Sequence, residues 1–276
     1  MSNRYAGILR TLLLFGATLL TWTNVYAITI YGSAYSTSQS RSQLYIVNSD
    51  TGAAALIGGD TIAFFPGLAF SPSGSLFGSG SGLWSIDPAS GHAVAIAPLP
   101  ELIVSIAFGP QGSLWGIGNG SGTLWQINTT TGQSISAGFL SGLQPGGIRS
   151  IAFDSQGTLF GIGQGVLYNI STTTFVATAI APIAPCCTVS GLTFAPDGRL
   201  FTSQGASLSA TSTLSAVNIA TGALSPIGPA TTVPPALFVE GLTVPVTAVP
   251  EAGTAALFCI GLLGLIGARR RLRADA

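Results

Sequence analysis

Arg149 and Glu240 are the charged members of a set of five residues, with Pro66, Val104 and Ser190, that each stand two positions before a recurring apolar residue. A guanidinium and a carboxylate brought to one mouth would suit a polar ligand such as a sugar or a carboxylate. The same two groups could equally neutralise each other or point to solvent, and both readings stay open here. Cys186 and Cys187 are adjacent and could form a strained vicinal disulfide or remain two thiols; Cys259 lies far off, in the C-terminal segment. His92 is the sole histidine and no CxxC pair occurs, so metal ligation has little to build on, and no cofactor is implied.

The elements that must position these residues recur along the chain. "GLAFSPSGSLFGSGSGLWSID", "SIAFGPQGSLWGIGNGSGTLWQIN", "SIAFDSQGTLFGIGQGVLYNIS" and "GLTFAPDGRLFTSQG" begin four units, and their aromatics Phe70, Phe108, Phe153 and Phe194 are 38, 45 and 41 residues apart. Each unit holds short runs rich in β-branched and aromatic residues, separated by Gly, Ser, Pro or Asp clusters, with "SPSG", "GPQG", "DSQG" and "APDG" fitting tight hairpins. No run has helical period or length. Four antiparallel strands repeated every 40-odd residues predict an all-β fold, a β-propeller. "GLTVP" at 241–245 matches a first strand with nothing after it, and "ITIYG" at 28–32 a second strand with nothing before it. The two ends together complete a fifth blade and seal the ring, with third strands at "LYIVN", "LWSID", "LWQIN", "LYNIS" and "LSAVN". "LAFSPSGSLFG" and "LTFAPDGRLF" resemble repeats of several propeller families, including the NHL and quinoprotein-like groups, among which the pattern does not choose.

With the first strand innermost, the connections from second to third strand and from fourth strand to the next blade share one face. The irregular segments fall there, and Phe64, Phe65 and Tyr35 among them suit stacking on sugars. Asp50 and Asp87 follow third strands, and Asp154 and Asp197 sit in first hairpins, so these carboxylates belong to the opposite face. Asp60, Glu101 and Glu240 remain near the expected ligand face, and no Ser-His-Asp arrangement can be built around His92. The residues therefore favour binding over catalysis, with a hydrolase or lactonase at the channel mouth as the alternative.

Charged residues make up only 7% of the chain, there is no lysine, and the arginines cluster at the ends: Arg4 and Arg10, then Arg269, Arg270, Arg271 and Arg273. Residues 28–248 carry three arginines against seven carboxylates, a formal charge of −4, which argues against a nucleic-acid partner. Arg4 and Arg10, the apolar "TLLLFGATLL" and then "TWTNVYA" have the three parts of a secretory signal over residues 1–27, with cleavage expected between Ala27 and Ile28. Residues 252–268 contain no charge and would make roughly 26 Å of helix, close to a hydrocarbon core of about 30 Å. The basic tail 269–273 would stay cytoplasmic, leaving residues 28–248 outside the inner membrane.

The order "VPEA", an apolar stretch and an arginine cluster resembles the PEP-CTERM sorting signal, also labelled an ice-binding protein C-terminal domain, over residues 249–276. Val249, Pro250 and Glu251 fit the motif; Ala252 departs from it, standing where the family has a second proline. The resemblance implies an exosortase-type protease as partner, transient residence in the inner membrane, and delivery to the cell surface or exopolysaccharide matrix. Extracellular polysaccharide or other surface proteins are then the expected partners of a non-catalytic binding or structural propeller. A permanently membrane-tethered periplasmic scaffold is the other reading of the tail.

Overall fold

Alternation of apolar and polar residues over four to eight positions, closed off by Gly, Asp and Asn turns, leaves the chain few options but short antiparallel strands. The computed structural model describes residues 27–36, 41–58, 64–183, 189–205, 212–227 and 237–245. The chain opens with β1 (Thr29–Ser36), β2 (Arg41–Asn48) and β3 (Ala54–Ile57). Blade 1 follows with β4 (Gly67–Phe70), β5 (Leu76–Ser79), β6 (Gly82–Ile86) and β7 (Ala93–Pro98). Blade 2 has β8 (Ile103–Phe108), β9 (Leu114–Gly118), β10 (Thr123–Ile127) and β11 (Ser134–Phe139). Blade 3 has β12 (Ser150–Phe153), β13 (Leu159–Gly163), β14 (Val166–Ile170) and β15 (Ala177–Pro182). Blade 4 has β16 (Val189–Phe194), β17 (Leu200–Gly205), β18 (Ser212–Val217) and β19 (Leu224–Pro226), and β20 (Leu237–Thr243) ends the described chain.

Strand β20 pairs antiparallel with β1, so the closing blade runs β20-β1-β2-β3 and takes strands from both ends of the chain. The five sheets are four-stranded, and the third strands are the five expected segments. The inner strands β4, β8, β12, β16 and β20 each lie beside the next, and β20 returns to β4, which completes a five-bladed propeller. The first-to-second and third-to-fourth turns share one face, here the turn face. The remaining connections form the loop face.

Hydrophobic burial is organised between blades: five core clusters occupy the five seams. An aromatic of one blade's second strand meets the first-strand phenylalanine of the next. Tyr31 meets Phe70 at 5.0 Å, Phe77 meets Phe108 at 5.8 Å, Trp115 meets Phe153 at 6.4 Å and Phe160 meets Phe194 at 5.3 Å between ring centres. Such pairs contribute about 0.5–1.5 kcal/mol each beyond area burial. At the fifth seam Val244 stands where the others have phenylalanine, and the pattern changes. There the Arg199 guanidinium lies 5.1 Å over the Phe201 ring, bonds Asp197 at 2.7 Å, and reaches Asp50 of the closing blade at 3.6 Å.

A second exchange lies closer to the axis. In blades 1 and 4 and the closing blade, Ser79, Ser203 and Ser33 of the second strand donate to the backbone carbonyls of Ile103, Val239 and Phe65 in the next blade. Gly67 and Gly241 are the inner-strand partners of Ser79 and Ser33, whereas Ser203 pairs with Ser190 and Gly191 is the extra residue at a register shift beside it. A Cβ on Gly241 would sit 2.8 Å from Ser33 Oγ and 3.0 Å from the Pro66 carbonyl oxygen. Blades 2 and 3 reverse the arrangement: Ile117 and Ile162 fill the second-strand position, and Ser105 and Ser150 the inner one, with their hydroxyls 3.1 Å apart. Either way four of the five seams, all but that between blades 3 and 4, receive one of these bonded hydroxyls, which keeps buried polar groups satisfied.

Candidate functional site at the loop mouth

Glu240 sits where the inner strand of the closing blade breaks register. Val239 pairs with Ala34 and Gly241 with Ser33, so Glu240 is the extra, unpaired residue of a β-bulge. Its flanking peptides are pinned: Val239 N–H donates to Ser212 Oγ at 3.1 Å, the Val239 carbonyl accepts from Ser203 Oγ at 2.8 Å, and Gly241 N–H donates to Ser33 Oγ at 3.2 Å. Gly191 lets the strand approach, because a Cβ there would lie 3.0 Å from the Glu240 carbonyl oxygen. The carboxylate is thus aimed by a rigid backbone.

Burial pushes the Glu240 carboxyl up to about 7, outweighing the opposing pull of the Arg149 charge, and its buried Oε2 has no hydrogen-bond partner among the described residues. Arg149 is exposed and immediately precedes the inner strand of blade 3, with its backbone N–H on the Ile162 carbonyl at 2.8 Å. Blade 3 and the closing blade are not neighbours, so the two charges act on each other across the end of the channel. The structure therefore brings Arg149 and Glu240 to one mouth. Pro66 and Ser190 are buried and Val104 half-buried around it. The arrangement offers a carboxyl that changes charge near neutral pH and a cation opposite it, suited to a polar ligand presenting hydroxyl, amino or carboxylate groups.

The other sequence candidates separate. Glu101 is committed to its own blade, accepting from Ser121 Oγ at 2.9 Å and Trp125 Nε1 at 2.7 Å. Phe65 corrects the expectation of a sugar-stacking surface: it is only 2% exposed, buried in the seam with its ring 5.7 Å from Trp84. Alternation is the reason, since of two adjacent phenylalanines ahead of a strand one must turn inward. Phe64 and Tyr35 are half-buried and stack edge-on at 5.1 Å. His92 is exposed in the turn after β6, beside Asp87. Asp60, Cys186 and Cys187 lie outside the described residues. So do the signal segment through Tyr26, the sorting residues Val249, Pro250, Glu251, Arg269, Arg270 and Arg271, and the expected span 252–268. Among the described residues no helix is long and apolar enough to cross a membrane, and no group of three or more His, Cys, Asp or Glu could hold a metal.

One feature escaped the sequence reading. A cavity of about 350 Å³ opens at the other end of the channel, on the turn face, lined by Phe70, Phe108, Phe153, Phe194, Thr243 and Val244 among others. The signal was present in the recurring phenylalanines, read as markers of the repeat and not as a lining.

The fold is that of a five-bladed β-propeller, and solved structures of similar fold exist. Similar chains include one from a nidogen/laminin complex (12% identity, TM-score 0.52, covering 79% of this chain and 98% of that one). A structural genomics protein of unknown function from Bacteroides thetaiotaomicron VPI-5482 has 14% identity and a TM-score of 0.54, covering 79% of this chain and 64% of that one. A symmetrical protein from a study of de novo evolutionary emergence has 16% identity and a TM-score of 0.51, covering 77% and 98%. These identities speak to the fold alone. No curated protein matches the chain. Residues 248–271 match the PEP-CTERM protein-sorting motif, which implies processing by an exosortase, export and sorting to the cell surface.

Proposed function

We propose that this is a non-catalytic binding propeller, released by exosortase-type processing to the cell surface or exopolysaccharide matrix, that takes a polar ligand at its loop mouth. An acidic or amino-bearing extracellular polysaccharide matches the chemistry: Glu240 meets hydroxyl or amino hydrogens, and Arg149 a carboxylate. The observation that carries the reading is the Glu240 carboxyl, held on a pinned bulge, with a buried Oε2 that has no partner among the described residues and a cation across the channel from it. Structural ion pairs perturb carboxyls too, so the test is binding itself. Processed wild-type protein is expected to bind its own organism's matrix polysaccharide in titration calorimetry, with Arg149→Ala and Glu240→Ala each weakening binding about 10-fold or more, in line with losing a charge-assisted hydrogen bond. Unchanged affinity in both single variants and the double variant removes the site.

A second reading draws on the same residue, because a carboxyl near pH 7 is suited to general acid-base work. A hydrolase or lactonase would turn over substrates in an ester, lactone and glycoside panel, with Glu240→Gln abolishing the rate. The permanently tethered scaffold is distinguished by a retained tail.

A further inference from the structure

The cavity at the turn-face end of the channel is ringed by the edges of the five inner strands. In four blades the amide that follows the first-strand phenylalanine turns toward its own second strand: Ser71, Gly109, Asp154 and Ala195 N–H donate to the carbonyls of Ser75, Ser113, Thr158 and Arg199 at 2.8–3.0 Å. Backbone groups of successive strand residues point to opposite sides, so the amides and carbonyls of Phe70, Phe108, Phe153 and Phe194 face the axis. Phe70 N–H shows this directly, donating to Thr243 Oγ1 of the closing blade at 3.1 Å.

The same step recurs one level deeper. Ile151 N–H donates to Ser105 Oγ at 3.1 Å, so a hydroxyl on an inner strand reaches the amide one position further along in the next blade. Carried round the ring, this register sets Ala69 against the amide of Phe108, Ala107 against that of Phe153, and Ala152 against that of Phe194. Alanine has no hydroxyl to offer, and all three alanines line the cavity. An arc of three backbone donors in blades 2, 3 and 4, with carbonyls beside them, therefore faces the cavity without such a cap.

The rest of the lining limits what can sit there. Leu68, Ile106, Ile151 and Leu192 join the phenylalanines in a mostly apolar wall. Among the described lining residues Asp154 is the sole charged one, and its Oδ1 is committed to the N–H groups of Gln156 and Thr158 at 2.9 and 2.7 Å. No arginine lines this end to neutralise an anion, unlike the loop mouth. A volume of about 350 Å³ equals roughly a dozen waters at about 30 Å³ each, room for one sugar ring.

We infer that the turn-face cavity is a second binding site, one that takes a neutral sugar residue. Its hydroxyls meet the inward amides and carbonyls of Phe108, Phe153 and Phe194, and its C–H faces rest on the apolar wall. Hydroxyls suit these strand edges because they both donate and accept, as the edges do. The site differs from the loop mouth in place and in charge: one end of the channel suits an ionic ligand and the other an uncharged one.

The test titrates methyl glycosides of glucose, galactose, mannose and N-acetylglucosamine, beside sodium glucuronate, into the purified protein by ligand-observed NMR. At least one neutral glycoside is expected to bind with a Kd of about 1–10 mM, and glucuronate about tenfold more weakly. Ala107→Thr and Ala152→Thr together supply Phe153 and Phe194 with the hydroxyl that Thr243 gives Phe70; Thr193 and Thr243 show that buried threonine fits this position. The double variant is expected to keep the wild-type melting temperature within a few degrees and to weaken glycoside binding about tenfold or more, in line with two donors already occupied. If it does not fold, Ala107→Ser offers a hydroxyl in less volume and is expected to weaken binding about threefold. Arg149→Ala is expected to leave glycoside binding unchanged, which keeps this site separate from the loop mouth. A tetrasaccharide of the best-bound sugar distinguishes the sources: tighter binding assigns a chain end, and equal or weaker binding a free sugar. Absence of binding by every neutral glycoside, glucuronate binding as tightly as they do, or full affinity in a folded capped variant overturns the inference.

Discussion

Burial holds the Glu240 carboxyl near 7 in the folded chain, against an ordinary value of 4.5. Between those values the folded state binds more protons than the unfolded one, so the contribution is complete below about pH 4.5 and lost as pH rises through 7. The difference corresponds to about 3 kcal/mol across that window. Glu240→Gln removes the titration, so its melting temperature relative to wild type should rise from pH 5 to pH 8; parallel pH profiles would contradict the assignment. Alignment of the repeats was enough to place Arg149 and Glu240 on one ring, because the repeat numbers the positions around the axis. It could not show the bulge that aims Glu240 or the hydroxyls that pin it, since register shifts depend on the neighbouring strand. Nor could composition tell Phe65 from Phe64, because which of two adjacent rings turns inward is decided by the strand that follows.

Seams between blades are where strand-level legibility was greatest and also where it ended. Strands and hairpins were readable because period-2 alternation and Gly, Asn or Asp turns carry their own physics. At Asn48, Asn128 and Asn218 the side-chain oxygen accepts two backbone N–H groups, and a glycine at φ of 69° to 70° completes each turn. The alternation of Gly–Ser with Ser–Ile pairs was also present in the repeats, but its meaning needs the facing strand. The fifth seam, with Val244 in place of phenylalanine, relies on Arg199 to join Asp197, Phe201 and Asp50. Arg199→Ala is expected to cost about 1–2 kcal/mol in chemical denaturation, from a cation–π contact and partly exposed ion pairs. Val244→Phe in that background should recover part of the loss, because Val244 borders an open cavity and Phe201 lies across the seam. No loss on removing Arg199 would show that strand pairing alone closes the ring.

At the scale of the whole molecule, closure by both termini does two things. It removes the inner edge that an open sheet would expose, and it sends both ends of the chain out of one face. That face carries the cavity, while the opposite face carries the irregular connections and the Arg149–Glu240 mouth. Five blades were countable from sequence because the two end fragments are complementary halves of the repeat. The cavity was not, because a void depends on how closely five inner strands approach, which residue types alone do not encode. The proposed function has the propeller exported, held by a sorting tail and then released from it. Mass spectrometry of the native protein from fractionated cells, mapping both mature ends, is the measurement that decides this. The expected result is an N-terminus at Ile28 and a C-terminus within residues 248–271, in the outer fractions. A chain retained through Ala276 in the inner membrane would contradict it and leave a tethered periplasmic propeller in its place.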